Sequence, residues 1–485
     1  MSENKPQQLA DDNMKFKVFT VGWEPYFIDS LLAPIEKHTG FDFIHGLVGD
    51  ASRISYAQKQ FPQLKFVALS KTKEDPLPAP DHELLASLEG VGIPTVKSMV
   101  QGDPYIRHRS ERESLGYATL LARSIQKNIK KLQPNVVLAS FDCIHSGISL
   151  AVAKSLGIPW VAMAFPVIPD NLTGFCFGLT PNMIVPILRP VDDGLKRDAK
   201  AIIQNVRCGG QRVIAYRAPV SFKNWVQQYI LHGSNFINRV LKRNVHGVDR
   251  FTAPTLWERT RDIVRRSINS FFLPSGSMLS VPPSGRYVYF PFHMSPESMV
   301  DTWAPFYQDQ ISFITQLSLS MPADVELVVK LHFSDPANYS RSQLQRLMHR
   351  HHVRVASPFV PSLPFLERAS LVVGITGTSN LEAALRGKPV LIFGDSPYQH
   401  FPRTERAKRP DELYEQIRRM LALPHPTEEE IVDAYAAYMA RYMSGRINDW
   451  GRPIKPEELG QFVNCFHALR SYVEDPVNRA SYRHL

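Results

Sequence analysis

Leu371–Gly394 reads LVVGITGTSNLEAALRGKPVLIFG. Leu371, Val372 and Val373 form a short apolar run, as expected of a strand buried on both faces. Gly374–Thr378 is a loop of small residues. Ser379 followed by Glu382 fits a capping box, and Leu381, Ala384 and Leu385 form the apolar stripe of a short helix. Gly387 supplies a left-handed stop, Pro389 prevents continuation, and the chain returns as a strand to Phe393. A loop feeding a helix start offers free backbone amides and a positive dipole end. Thr376, Gly377, Thr378, Ser379 and Asn380 add hydroxyls, an amide and close backbone approach. This chemistry suits a phosphate or pyrophosphate; the alternative is a well-capped βαβ unit without a ligand. Glu382 either caps the helix or accepts hydrogen bonds from a ribose.

Outward from this stretch, residues 285–425 alternate strand and helix. Strands are expected at Arg286–Phe292, Val325–Leu331, Val353–Val355, Leu371–Val373 and Pro389–Phe393, which implies a parallel sheet flanked by helices. Residues 15–188 repeat that texture less regularly. Strands are expected at Phe16–Val21, Lys65–Leu69, Asn135–Ala139 and Pro159–Ala164, with helices at Phe27–His38, Ser110–Leu132 and Ile144–Leu156. Residues 189–284 read as a helical insertion mixing aromatics with Arg and Lys. Its helices either rest on anionic lipid or pack against the first domain with a solvated basic face. Residues 426–485 read as helices folding back across the domains, and 1–14 as a disordered start.

The chain has 485 residues, 44% apolar, with net charge +10 and a pI near 9.3. This is long enough for two cores, and the charge favours anionic partners. The four cysteines form no CxxC pair, so reduced, metal-free thiols in a cytoplasmic setting are expected. The polar N-terminus is no secretory signal, and no apolar run approaches a membrane span. Nothing resembles a helix-turn-helix, zinc or RNA-binding signature, so no nucleic-acid partner is expected.

Ligands of parallel α/β sheets sit at the carboxyl ends of the strands. Three polar loops of the second domain lie there: FPFHMSPES (290–298), VVKLHF (328–333) and ITGTSN (375–380). Lys330 and His332 offer charge and donors to a diphosphate, and His293 and Glu297 can hold a sugar or ribose hydroxyl.

The order FPFHMSPE, VVKLH, TGTSNLEAALRGKPV and Tyr398 resembles bacterial capsule and surface-polysaccharide biosynthesis proteins. These are GT-B glycosyltransferases, some of which, being Kdo transferases, use CMP-Kdo. The resemblance is strongest over residues 286–398. It implies a GT-B-like α/β fold, in which two Rossmann-like domains with parallel sheets face each other across a cleft. It also implies a nucleotide-sugar donor on the C-terminal domain and a polysaccharide or lipid-linked glycan acceptor on the N-terminal one. Lys330 and His332 match the family's Lys-x-His-Pro segment, and Pro296 and Glu297 its Pro-Glu pair. Thr376, Gly377, Thr378 and Glu382 match its nucleotide loop. Phe333 stands where Pro is usual and Asn380 where Gly is common.

The reading is thus of a metal-independent glycosyltransferase with no cofactor beyond its donor, working in the cytoplasm or at the inner face of the cytoplasmic membrane. The general base is expected from the first domain, with Asp142, Glu24, Asp29 and His145 as candidates. An epimerase or hydrolase on the same scaffold, or a non-catalytic assembly protein, are the alternatives.

Overall fold

A computed structural model describes residues 15–445 and 454–478, apart from 50, 70–76, 92, 94, 141–142, 167, 180–188, 210–250, 252–255, 296 and 334–336. The expectations for residues 1–14 and for the basic helix around residues 223–243 fall outside that set.

Thirteen described strands form two sheets, one of seven and one of six. The first sheet is built from β1 (Phe16–Val21), β2 (Phe41–Leu47), β3 (Phe66–Ala68), β4 (Val136–Ala139), β5 (Trp160–Ala164) and β6 (Leu172–Cys176). The second is built from β7 (Tyr287–Pro291), β8 (Glu326–Lys330), β9 (Val353–Ala356), β10 (Leu371–Gly374), β11 (Val390–Ile392) and β12 (Thr404–Arg406). A two-residue strand, β13 (Met443–Ser444), returns to the first sheet and pairs antiparallel with β6. In space the order is β3-β2-β1-β4-β5-β6-β13 and β9-β8-β7-β10-β11-β12. The second sheet is parallel throughout. The first is parallel from β3 to β5, with β6 antiparallel to β5.

Both orders are those of a Rossmann sheet. The strand order reverses beside the first strand of each unit, leaving a crevice at the carboxyl ends of β1 and β4 and of β7 and β10. Two such units on one chain make the expected GT-B-like α/β fold. The strands are apolar because both faces are covered: every residue of β4, β5, β10 and β11 is buried. Each Val, Leu or Ile so placed contributes about 1.5–3 kcal/mol relative to exposure.

The expected helix near Phe27–His38 exists, but it is interrupted by a π-helical turn over Ile28–Leu32. Ser110 caps the Glu111–Leu132 helix through a full capping box with Glu113. The Asp193–Arg207 helix buries Leu195, Ala199, Ile203 and Val206, a helical spacing, in one core with Tyr287 and Tyr289 of the second sheet and the Glu428–Met439 helix. The Pro456–Glu474 helix returns to the first unit, where Phe466 sits edge-on to Phe41, Phe43 and Phe175.

Candidate functional site

The second crevice is built from the residues after β7 and β10. After β10 the chain turns through Ile375 and Thr376 to Gly377, the N-cap of the Thr378–Leu385 helix. No side chain caps this helix. The Ser379–Glu382 capping box therefore does not form. Gly377 takes the extended N-cap conformation (φ −64°, ψ 160°), which sets the N-cap two residues earlier than the Ser379 box requires and puts Ser379 inside the first turn. The Asn380 backbone amide bonds back to the Gly377 carbonyl (3.0 Å), while the amides of Thr378 and Ser379 keep their hydrogen-bonding capacity at the dipole end. Glu382 lies in the second turn, half-buried, where burial raises its carboxyl above the usual range while Arg386 opposes the shift.

His293, two residues past β7, lies directly against this turn. Its Nε2 is 3.5 Å from the Thr376 amide, and a Cβ on Gly377 would stand 2.9 Å from its Cε1. Glycine is required there by the imidazole. Thr376 N–H donates to Nε2, so the ring proton is on Nδ1, 3.6 Å from Glu297 Oε2. Buried Gln310 clamps the His293 backbone: the His293 N–H donates to Oε1 (2.8 Å), and Nε2 donates to the His293 carbonyl (3.2 Å). From the other side the buried Tyr398 hydroxyl donates to the carbonyls of Thr376 and Gly377, the latter at 2.6 Å. Burial pushes that phenol well above its ordinary pKa, so it remains a donor. The turn is thus held by groups on three other segments before any ligand arrives.

His332, just past β8, is stacked on Phe333 (4.6 Å between ring centres, 26° between planes). Burial lowers its pKa to about 4, against the opposing pull of Glu297. The side chain is therefore a neutral donor, not the cation expected. Lys330 also differs from expectation. Its ammonium donates to the Ser357 carbonyl at the end of β9 (2.9 Å), and burial lowers its pKa to about 8. Asn380 is fully buried against Gly374, the last residue of β10, where a Cβ would stand 2.3 Å from Oδ1. Neither polar atom of its amide has a partner among the described residues. Thr378 and Ser379 sit half-exposed at the helix start, and Pro296 lies outside the described residues.

The first crevice is different. Gly22 follows β1 with φ +84°, and a Cβ there would meet Ser140 Oγ at 3.3 Å. Ser140 in turn pairs with Ser146 (3.1 Å). Glu24 is ion-paired to Arg53 (2.8 Å) yet half-exposed. Asp29 is one turn into the helix and accepts from Gln63 (2.6 Å). His145 is buried against the Tyr117 hydroxyl (3.2 Å). Asp29 and His145 are thereby engaged by other side chains, and Asp142 lies outside the described residues. Asp103, which the sequence did not single out, is buried and accepts from the amides of Tyr105, Ile106 and Ile144. It ties a loop of the first unit to the helix after β4. Its signal was the Asp-Pro pair of a turn.

The units meet beside the second crevice. Arg107 Nη1 is 3.4 Å from Asp301, a buried carboxylate that also accepts from the Glu297 amide (3.0 Å). Burial raises the Asp301 pKa, opposed by Arg107. A Cβ on Gly102 would stand 2.4 Å from the Asp301 carbonyl, so the backbones approach closely. Among the described residues, no group of acidic, His and Cys side chains is arranged to hold a metal ion, and no helix is long and apolar enough to cross a membrane.

No protein-family model matches the chain, and no curated protein matches its sequence. By structure it is similar to the KpsC beta Kdo 2,7 transferase of Thermosulfurimonas dismutans, at 10% identity and TM-score 0.37, covering 88% of this chain and 100% of that one. It is similar also to the KpsC beta Kdo 2,4 transferase of that organism (13%, TM-score 0.31, 68% and 87%). A third is the UDP-GlcNAc 2-epimerase of Methanocaldococcus jannaschii in complex with UDP-GlcNAc and UDP (12%, TM-score 0.29, 87% and 96%). At that level of superposition the fold assignment rests on the two strand orders, not on the likeness.

Proposed function

We propose that the chain is a GT-B glycosyltransferase that moves a sugar from a nucleotide-sugar donor, CMP-Kdo being the first to test, to a surface or capsular polysaccharide or glycolipid acceptor. The observation that carries this reading is the uncapped helix start at Gly377, lying at the strand-order reversal of the second sheet and braced by His293 and Tyr398. Charge develops on the leaving nucleotide as the glycosidic bond breaks. Fixed amides and the neutral His332 imidazole beside that charge lower the barrier without reorganising. Thr376, Thr378 and Ser379 supply hydroxyls, Lys330 holds the end of β9 beside the site, and Glu382 is assigned to the ribose. The acceptor base is assigned to Glu24 or Asp142, which follow the two strands bordering the first crevice. No step in this scheme uses a metal, so transfer is expected to survive EDTA. The working place is the inner face of the cytoplasmic membrane, where lipid-linked acceptors lie.

A thermal-shift panel of CMP, UDP, GDP and dTDP with the wild type and Gly377→Val tests the reading. One nucleotide should raise the melting temperature of the wild type, since a ligand that binds only the folded state stabilises it by mass action. Gly377→Val should abolish the shift because its side chain collides with His293. A panel with no responding nucleotide, or an equal response in the variant, removes the assignment.

A further inference from the structure

The Leu256–Phe271 helix is amphipathic in the reverse sense. Its inward face is polar. Asn269 is buried and donates to the Ala337 carbonyl (3.0 Å), Glu258 pairs with Arg109 (3.2 Å), and Arg266 pairs with Asp262 (2.9 Å). Its outward face carries Trp257 (74% exposed), Val264, Ile268 and Phe271 (80% exposed) at i, i+7, i+11 and i+14. At 3.6 residues per turn these four fall on one line, and an ordinary surface helix turns such a line to the core. Exposed Arg261 and Arg265 run along one side of it. Where the helix ends, Leu273–Ser277 forms one wall of a cavity of about 850 Å³. Arg341, Arg350, Arg354, His349, His351 and His352 also line it, beside the amino ends of β8 and β9. The one carboxylate among its lining residues, Glu326, is paired to Arg354 (3.6 Å).

We propose that this helix face and the cavity beside its end seat on an anionic lipid bilayer, with the apolar line entering the interface and a lipid phosphate occupying the arginine-lined cavity. An apolar line edged by arginine matches the headgroup boundary, where aromatics bury their rings and cations meet lipid phosphate. A second copy of the chain in a two-fold contact would bring the same arginines against one another, which opposes pairing. Arg266 also reaches the Ser295 carbonyl (3.5 Å) in the loop after β7, so the seat is tied to the second crevice. This deepens the proposed membrane placement and stands apart from the transfer chemistry.

The test uses the full chain, phosphatidylcholine vesicles with and without phosphatidylglycerol, and co-sedimentation at low and high salt. Binding is expected only with the anionic lipid and is expected to fall as salt screens it. Arg341→Gln/Arg350→Gln should reduce partitioning by about 30-fold, from about fivefold per arginine. Trp257→Ser/Phe271→Ser should reduce it comparably. Both variants should keep the wild-type nucleotide-induced melting shift, so a failure here is separable from a failure of the transferase reading. Wild-type partitioning by the arginine variant overturns the headgroup site. A stable dimer by light scattering that Phe271→Ser dissolves overturns the lipid assignment.

Discussion

The two Rossmann units share one strand order and divide the labour unequally. At the first crevice the acidic and imidazole groups are engaged by the protein itself: Glu24 by Arg53, Asp29 by Gln63, His145 by Tyr117 and Asp103 by three amides. At the second, the protein's own groups are spent on shaping an uncapped helix start, and the start itself is left open. A crevice is made into a binding site less by the residues pointing into it than by those that brace its backbone while leaving its amides unanswered.

The largest effect that sharpens this contrast is expected at Gln310. Gln310→Leu strands the His293 N–H and C=O in the core, which costs about 2–6 kcal/mol at about 1–3 kcal/mol per unmet buried group. Urea unfolding should show that loss together with weakened nucleotide binding, and wild-type affinity in a folded variant would break the bracing account. Acid separates the units next. Burial lowers His45 of the first unit to about 3 and His332 of the second to about 4, against about 6.5 unfolded. Both are neutral when folded, so their stabilisation is whole above about pH 6.5. It is lost as pH falls, down to about 3 for His45 and about 4 for His332. The buried His45 makes the larger contribution, on the order of 3–5 kcal/mol, and His45→Gln should flatten the stability–pH slope more than His332→Gln.

Arg107→Ala leaves Asp301 buried without its cation, a loss of about 2–3 kcal/mol for a pair that is partly open on the arginine side. It should loosen the units without unfolding either sheet, which hydrogen exchange at residues 101–107 and 297–301 would read. Tyr398→Phe removes two donated bonds and should cost about 1–2 kcal/mol with a several-fold loss of nucleotide affinity. The smallest effect is at Glu24. Glu24→Gln breaks a half-exposed ion pair worth under about 1 kcal/mol and should leave nucleotide affinity unchanged. A matching affinity loss there would erase the distinction between the two crevices.

The second sheet was legible because its strands β7, β8, β10 and β11 are nearly uninterrupted apolar runs, the mark of strands covered on both faces. Strand β2 was missed because His45 and Gly46 break its run; yet His45 is buried, its ring hydrogen-bonded to Thr20 (2.8 Å) and stacked on Phe43. Strand β12 was missed because Thr404-Glu405-Arg406 carries no apolar residue; it pairs with β11 through its backbone. The three loops were legible as strand-end segments, and His293 does meet Thr376 and Gly377. What could not be read were partners far along the chain: Gln310 under His293, Asp301 beneath Arg107, and Ser357 beyond Lys330. The capping box failed for a local reason, since Gly377 claimed the N-cap position that Ser379 fitted by pattern.

The pairing of β13 with β6, and the seating of the last long helix against β2 and β6, have a consequence for synthesis. The second sheet is complete by Arg406, whereas the first acquires its final strand only at Met443. On a ribosome adding residues in order, the later-encoded unit can finish before the earlier one. The nascent first half must therefore wait with an open edge, and a truncation that removes the tail should leave the amino-terminal unit aggregation-prone while sparing the other.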